Sequence, residues 1–359
     1  MPAERRAKVL YLYAGRRREF YEKWKRGLVP DTQLLGLNYM DNFGIDATFL
    51  EWPISNWLRK LSFNLAHLPY IFAIREYDLV FICAGLPLVF LSKWLLRWKK
   101  PGFVIYNTFL TNALKRHPKG ILGFINRKAI ENIDVIVCTA GEQQKFLIES
   151  GFNPKNIVFQ PIGIDASRFA REPEISGKKP GYILAVGRDP GRNYRTLFEA
   201  VKDLPVKLKV ATKREVVAGL DVPKNVEISY HVPYEQMPAL YQGAYFCVVP
   251  LRDWDDPKGS DTSGQYGYLE PMASGKAVIA TDKSTVRDYI ENNVDGLLVP
   301  PGDQKALRGA IQKLLSDESL RNRLGQTAQK KVLQNFTSKI FAGALANIFK
   351  KSRVSRLIQ

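Results

Sequence analysis

The chain has 359 residues, 45% of them hydrophobic, and carries 53 Lys and Arg against 35 Asp and Glu, a formal net charge of +18. That length exceeds one typical domain and points to two of roughly 150–180 residues, each with ample apolar material for a core. Three cysteines (Cys83, Cys138, Cys247) and three histidines (His67, His117, His231) show no metal-ligand spacing, which argues against a metal-stapled or disulfide-stapled class; the cysteines read as reduced core residues of a cytosolic protein.

The first apolar stretch, Val9 to Ala14, is too short for a signal peptide. The longest, Leu79 to Leu91, is interrupted by Gly85 and Pro87 and falls short of the roughly 20 residues of a spanning helix. Lys8 to Tyr13 predicts a buried first strand, ended at Ala14-Gly15, where a glycine lets the main chain approach a ligand. The basic run Arg16 to Arg26 follows. Asp31 to Phe43 predicts a helix with Asp31 as N-cap and Gly44 as its stop. Ala47 to Trp52 is the second strand, Trp57 to Ile74 a helix, Leu79 to Cys83 a strand, Leu88 to Arg97 an amphipathic helix and Phe103 to Asn107 the next strand. Ile121 to Asn132 is helical, Val135 to Cys138 a strand, Gly141 to Ser150 a helix and Ile157 to Gln160 the last strand of this half. Strand and helix alternate with short connections, the pattern of a parallel, doubly wound sheet. Arg171 to Gly181, rich in charge, Pro and Gly, reads as a linker.

The second half repeats the alternation. Tyr182 to Val186 is a strand, Gly187-Arg-Asp-Pro-Gly-Arg-Asn193 a loop, and Tyr194 to Val201 a helix. Strands at Val206 to Ala211 and Val226 to Tyr230, a helix at Glu235 to Tyr241 and a strand at Phe246 to Val249 lead to the central stretch, Lys258 to Asp303. There a small, polar loop (Lys258 to Gly264) precedes a short helix, Gln265 to Ser274, stopped by Gly275. The free amides at such a helix start attract a phosphate or a sugar hydroxyl. Glu270 lies about one and a half turns inside, placed to accept two hydroxyls of a ribose. A strand (Ala277 to Ala280), a helix (Val286 to Asn292) and a strand (Gly296 to Pro301) follow, then helices at Gln304 to Leu315, Asp317 to Leu333 and Thr337 to Lys351.

The central stretch resembles the nucleotide-sugar site of glycosyltransferase family 4. That family reads Glu, seven residues, then a second Glu followed by Ala-Met-Ala-x-Gly-Lys-Pro-Val-Ile. Here Glu270-Pro-Met-Ala-Ser-Gly-Lys-Ala-Val-Ile279 and Gly296-Leu-Leu-Val-Pro-Pro-Gly-Asp303 keep the pattern. Thr262, with Asp261 beside it, stands where the family has its first Glu, the carboxylate that helps hold the donor sugar. Pro161-Ile-Gly-Ile-Asp165 matches the family's Pro-Asn-Gly-Val-Asp turn, and Gly187-Arg188, with Arg192 in place of a Lys, matches its diphosphate clamp. The resemblance implies an α/β fold of the GT-B type: two Rossmann-like domains facing across a cleft, with the C-terminal helix crossing back to the first. The corresponding boundaries are 1–170 for the acceptor-side domain, 171–181 for the linker, 182–335 for the nucleotide-sugar domain and 336–359 for the returning helix.

The resemblance also assigns roles. Arg188, Arg192 and Glu270 carry the chemistry. Gly15, Gly187, His231 (near the base), Asp261, Thr262, Ser263, Gly264, Gln265 and Tyr266 line the donor. Arg16, Arg17, Asn107 and Thr108 face the acceptor; Asn107 or Thr108 takes the place of a His in many relatives. The implied reaction is transfer of a sugar from a nucleotide-sugar donor to an acceptor with retention of configuration. Arginine forks and the amides of Ser263 to Gln265 stabilise the departing nucleoside diphosphate in place of a metal ion. A nucleotide-sugar epimerase on the same fold and a non-catalytic adaptor are the alternatives, the adaptor favoured by Thr262.

One surface feature stands apart. From Phe81 to Ile130 there are nine Lys or Arg and no Asp or Glu, mixed with Trp94, Trp98, Phe103 and Phe109. Basic residues beside tryptophan suit an anionic lipid surface. The expectation is peripheral association with the cytoplasmic face of a membrane, with Lys93, Trp94, Arg97, Trp98, Lys99 and Lys100 facing it. A lipid-linked acceptor fits that setting; no nucleic-acid module is recognisable.

Overall fold

The structure, a computed structural model, describes residues 5–13, 15–62, 64–170, 181–253, 259–260 and 262–357. The chain separates into two compact units, one of Met1–Gly163 with Ser338–Gln359 and one of Ile164–Thr337. The linker expected at 171–181 lies, apart from Gly181, outside the described residues.

The first unit runs β1 (Ala7–Leu12), α1 (Arg18–Lys25), β2 (Ile45–Phe49), α2 (Pro53–Leu61), β3 (Leu79–Ile82), α3 (Leu86–Val89), β4 (Gly102–Asn107), α4 (Leu110–Arg116), α5 (Gly120–Glu131), β5 (Val135–Cys138), α6 (Gly141–Glu149) and β6 (Ile157–Phe159). The strands form one parallel sheet in the order β2-β1-β3-β4-β5-β6. Runs such as Val-Phe-Ile and Val-Ile-Val-Cys suit it because both faces of a parallel sheet are covered. Successive residues alternate between those faces. Leu10, Leu12, Val80, Ile82, Phe103 and Ile105 join one core. Tyr11, Phe81 and Tyr106 meet the C-terminal helix instead, through Phe349 and Phe341.

Three helices of the first half differ from expectation. Asp31 to Phe43 is two 3-10 segments, broken where Leu35 and Gly36 take positive φ (51° and 81°). Asp31 is buried within the first segment rather than capping it. Gly36 is needed there, since a Cβ would lie 2.8 Å from the Cβ of Ala342. The helix expected from Trp57 to Ile74 is α2, ended at Leu61, and then 3-10 turns that include Pro69. The helix expected from Leu88 to Arg97 is one α turn that widens into a π turn, Phe90–Leu95, and stops before Arg97 at positive φ.

The second unit runs α7 (Ala166–Ala170), β7 (Tyr182–Val186), α8 (Tyr194–Val201), β8 (Leu208–Thr212), α9 (Arg214–Val217), β9 (Val226–Tyr230), α10 (Met237–Gln242), β10 (Ala244–Val249), α11 (Gln265–Ala273), β11 (Val278–Thr281), α12 (Ser284–Arg287), β12 (Leu297–Val299), α13 (Gln304–Ser316) and α14 (Glu318–Asn335). Then α15 (Ser338–Leu357) returns to the first unit. The sheet is again all parallel, in the order β12-β11-β10-β7-β8-β9. Its direction of winding reverses between β7 and β10, and crevices at the carboxyl ends of two such strands are where doubly wound sheets bind ligands. The division falls at Gly163, so α7 belongs with the second unit, where it packs on α11 and α14.

Because α15 seals one face of the first sheet, Phe349→Ala should destabilise the protein by about 3–5 kcal/mol in urea unfolding. A loss below about 1 kcal/mol would mean that α15 is not part of that core.

Candidate functional site

The site grows from the two loops at the β7/β10 reversal. After β7 the chain runs Gly187 to Asn193; after β10 it runs Pro250 to Gly264. They are zipped together by main-chain bonds, Asn193 N–H to the Pro250 carbonyl at 3.0 Å and Arg252 N–H to the Gly191 carbonyl at 2.9 Å. Asp189 adds a second tie. Its Oδ1 accepts from Gly191 N–H (2.7 Å) and its Oδ2 from Ser260 N–H (3.1 Å). Gly187 is pinned in turn, its carbonyl accepting from the hydroxyls of Tyr194 (2.9 Å) and Thr212 (2.7 Å). Asn193 caps α8 by accepting from Thr196 N–H.

Arg192 fills the centre of this assembly. It is 5% exposed, and its Nε and Nη1 have no hydrogen-bond partner. Glycines make the space: a Cβ on Gly187 would overlap Arg192 Nε, and one on Gly267 would lie 2.6 Å from Nη2. Ser263, whose buried hydroxyl also lacks a partner, borders the same loops at Gly191. Each unsatisfied buried donor costs about 1–3 kcal/mol. A buried cation and a hydroxyl left in this state beside the first turn of α11 form a cradle of donors whose chemistry suits an oxyanion. Arg188 is exposed next to it.

Glu270 is 3% exposed on α11. Its carboxylate accepts from two phenols, Tyr234 through Oε1 (2.5 Å) and Tyr241 through Oε2 (2.8 Å). Burial pushes its pKa up to about 7, and the two hydrogen bonds offset part of that rise. The two-hydroxyl arrangement anticipated for a ribose is thus filled here by tyrosines 36 and 29 residues away.

The remaining expected residues fall into distinct places. Thr262 and Ser263 are buried, Gly264 starts α11 at φ 110°, and Tyr266 is half-buried. One donor-side expectation is corrected: Ser263 N–H is taken by the Ser260 carbonyl (3.2 Å). The Gln265 side chain turns inward and donates to the Tyr289 hydroxyl (2.9 Å). Asp261 lies outside the described residues. His231 is exposed at positive φ, 59°, just after β9.

In the first unit Gly15 and Arg17 are half-buried beside exposed Arg16, and Thr108 is half-buried at the end of β4. Asn107 is corrected. It is fully buried, accepts from Leu110 N–H (3.1 Å) and donates to Cys138 Sγ, so it holds the start of α4 rather than an acceptor. Lys93 is corrected too: it is buried, and its Nζ donates to the Trp98 and Lys99 carbonyls (3.0 and 2.8 Å). Trp98 packs partly on the core under Arg75. Trp94, Arg97, Lys99 and Lys100 are exposed.

Sequence reasoning missed Asp189, Tyr234 and Tyr241. Asp189 was signalled by the Asp-Pro-Gly turn; the tyrosines had no local signal. Among the described residues no group of three or more His, Cys, Asp or Glu could hold a metal ion, and no helix is long and apolar enough to cross a membrane.

The Glu270 carboxyl yields a pH test. The folded state holds its proton more tightly than the unfolded chain, whose value is near 4.5, so this group's contribution falls as pH rises from about 4.5 to 7 and beyond. Glu270→Gln should therefore gain stability over the wild type between pH 5 and 8, by up to roughly 3 kcal/mol. A stability difference independent of pH over that range would show that the carboxyl is not held in this way.

Residues 167–331, a little under half of the chain, match the family described as glycosyl transferases group 1. The match includes both loops and α11. The D-inositol 3-phosphate glycosyltransferase of Corynebacterium urealyticum is 23% identical over 271 residues, covering 66% of this chain and 61% of that protein. The capsular polysaccharide biosynthesis glycosyltransferase CapM of Staphylococcus aureus is 35% identical over 81 residues, 23% of this chain and 21% of that one. Alignments with the first curated relatives span only 18% to 61% of their lengths. Among solved structures, Anabaena Alr3699/HepE in complex with UDP and glucose superposes with a TM-score of 0.69 at 14% identity, over 96% of this chain and 99% of that one. Sucrose-phosphate synthase from Thermosynechococcus elongatus gives 0.71 at 17% identity, over 98% and 100%. The two units are those of the GT-B fold, and the unit that bears the arginine cradle is similar to glycosyl transferases of group 1.

Proposed function

We propose that the protein is a glycosyltransferase that moves a sugar from a nucleotide-sugar donor to an acceptor presented at a membrane surface. The observation that carries this reading is the buried, incompletely partnered Arg192 guanidinium at the β7/β10 reversal, within the stretch similar to glycosyl transferases of group 1. The bond from the anomeric carbon to the donor's phosphate oxygen breaks, and the nucleoside diphosphate leaves with the electron pair. Arg192 and Arg188 stabilise the charge that develops, preorganised and, for Arg192, shielded from water. The acceptor hydroxyl forms the new bond on the same face, so configuration is retained, and its proton passes to the departing phosphate. On this reading the arginines do the work of a divalent ion. UDP in the Anabaena structure makes a uridine donor the first to try.

The membrane part of the proposal rests on the first unit. Trp94, Leu95 and Leu96 are exposed beside Ile121, Leu122 and Phe124 of α5, and the Trp94 ring meets Phe124 edge-on at 5.3 Å. Arg97, Lys99, Lys100, Arg116, Lys119 and Arg127 are exposed in the same span, which has no acidic residue. An apolar patch among cations fits an anionic bilayer.

Assaying hydrolysis across a panel of nucleotide sugars tests the activity directly; no turnover of any would leave the adaptor reading. Arg188→Ala and Arg192→Met should each weaken UDP binding by about 1.5–3 kcal/mol, the range for charge-assisted hydrogen bonds, and activity should survive excess EDTA. Unchanged affinity in both variants, or activity restored only by magnesium or manganese, contradicts the arginine clamp. Vesicle co-sedimentation should require anionic lipid, fade as salt rises from about 0.05 to 0.5 M, and drop when Arg97, Lys99 and Lys100 become Ser together. Equal binding to neutral vesicles contradicts the membrane reading.

A further inference from the structure

The helix α2 is built inside out. Ile54, Trp57 and Leu61 recur at the spacing of one helical face, yet they are 55%, 59% and 65% exposed. A soluble helix normally turns such a face to its core; here Ser55 is the buried residue among the described side chains of α2. The helix start is fixed in this attitude. Trp52 N–H donates to the Tyr70 hydroxyl (2.8 Å), and the Trp52 and Tyr70 rings lie 4.7 Å apart. The outward stripe is therefore set by the fold.

The inner flank of α2 is polar and cationic. Ser55 and Arg59, one turn apart, line a small pocket with Arg17, Gly15, Glu51 and Tyr70. The Ser55 hydroxyl is buried and has no partner. A Cβ on Gly15 would lie 3.5 Å from Arg59 Nη1 and 3.9 Å from Arg17 Nη2, so two guanidinium groups converge on the bare main chain there. Arg17 is steadied by Gln33 Oε1 (2.7 Å) and by the Tyr13 ring beneath it, and its Nε is buried without a partner. Glu51 commits Oε2 to the N–H groups of Arg17 and Arg18. Two cations, one carboxylate and an orphan hydroxyl make a site for an oxyanion, and a planar guanidinium fork matches phosphate oxygens.

We propose that α2 is a lipid-docking helix. Its Ile54–Trp57–Leu61 face lies among acyl chains, and its Ser55–Arg59 flank, with Arg17, holds the phosphate of a lipid head group. This rests on the reading that the acceptor is presented at a membrane, and it names where that lipid is gripped. Apolar stripe and phosphate pocket share one helix, so an amphiphile with a phosphate beside its chains satisfies both together. A second copy of this chain, at a net charge of +18, would bring more positive charge to the pocket.

The test uses the full chain and vesicles of phosphatidylcholine doped with phosphatidic acid, compared with vesicles doped to equal charge with phosphatidylserine. Ile54→Ser/Trp57→Ser/Leu61→Ser should weaken binding to both by about tenfold or more, as loss of buried apolar area requires. Arg59→Gln should weaken phosphatidic acid binding by about fivefold or more, beyond its effect on phosphatidylserine, because it removes a phosphate contact as well as a charge. Soluble glycerol phosphate should compete only weakly, since it lacks the chains. Since the stripe is exposed, the triple variant should keep its far-ultraviolet spectrum and melting temperature; Leu61→Asp alone is the second variant. Wild-type-like binding by both α2 face variants overturns the proposal, and so does an Arg59→Gln effect equal on the two lipids. If those variants bind normally while the Arg97, Lys99, Lys100 variant does not, the membrane reading stands and this inference alone falls. If the wild type sediments with neither vesicle, the reading beneath it falls as well.

Discussion

The second unit depends on keeping a guanidinium out of water without giving it a carboxylate among the described residues. Arg192 is buried with two of its donor nitrogens unpaired, a state that costs stability and that an apolar side chain of similar volume would avoid. The surroundings nonetheless enforce it. Gly187 and Gly267 vacate the space, Tyr194 and Thr212 hold the Gly187 carbonyl, and Asp189 ties the loop after β7 to the loop after β10. On the proposed reading, an anion arriving there would meet donors already aimed, and little reorganisation would be needed as negative charge develops.

The same logic extends to α11. Its first turn opens beside the cradle, while Glu270 lies deeper, held by Tyr234 and Tyr241 and raised toward neutrality by burial. Tyr234 is half-buried and comes from the turn after β9, so the carboxyl is linked to a segment that follows the edge strand of the sheet, three strands from β10. A ribose reaching Glu270 would replace one phenol with its own hydroxyl. That exchange conserves the hydrogen bond and leaves the Tyr241 anchor in place.

Much of the fold was legible because parallel strands advertise themselves. Val135–Cys138 and Tyr182–Val186 are continuous apolar runs between turn signals, Val226–Tyr230 alternates apolar with polar residues, and all three fall at their expected positions. The loop between β7 and α8 was legible too, since Gly187, Pro190 and Gly191 between a strand pattern and a helix pattern mark a turn. What stayed hidden was direction. Periodicity shows that α2 has an apolar face but not that the face points to solvent. Likewise Lys93 sits among cations in sequence yet turns inward to the carbonyls of Trp98 and Lys99, just past its own π turn. The break at Leu35-Gly36 is imposed by α15, some three hundred residues later, and the Glu270 tyrosines are equally non-local. Such contacts exist only after the sheets have formed.

If the cradle exists for an anion, Arg192 is a liability to the empty protein. Urea unfolding of the wild type and of Arg192→Met, both without nucleotide or phosphate, measures this most directly. The account predicts that the variant is as stable as the wild type or more stable by about 1–4 kcal/mol, the range for replacing buried ionic groups with apolar ones. A loss of about 3 kcal/mol or more would contradict it, since Arg192 would then be a structural cation already satisfied by its surroundings.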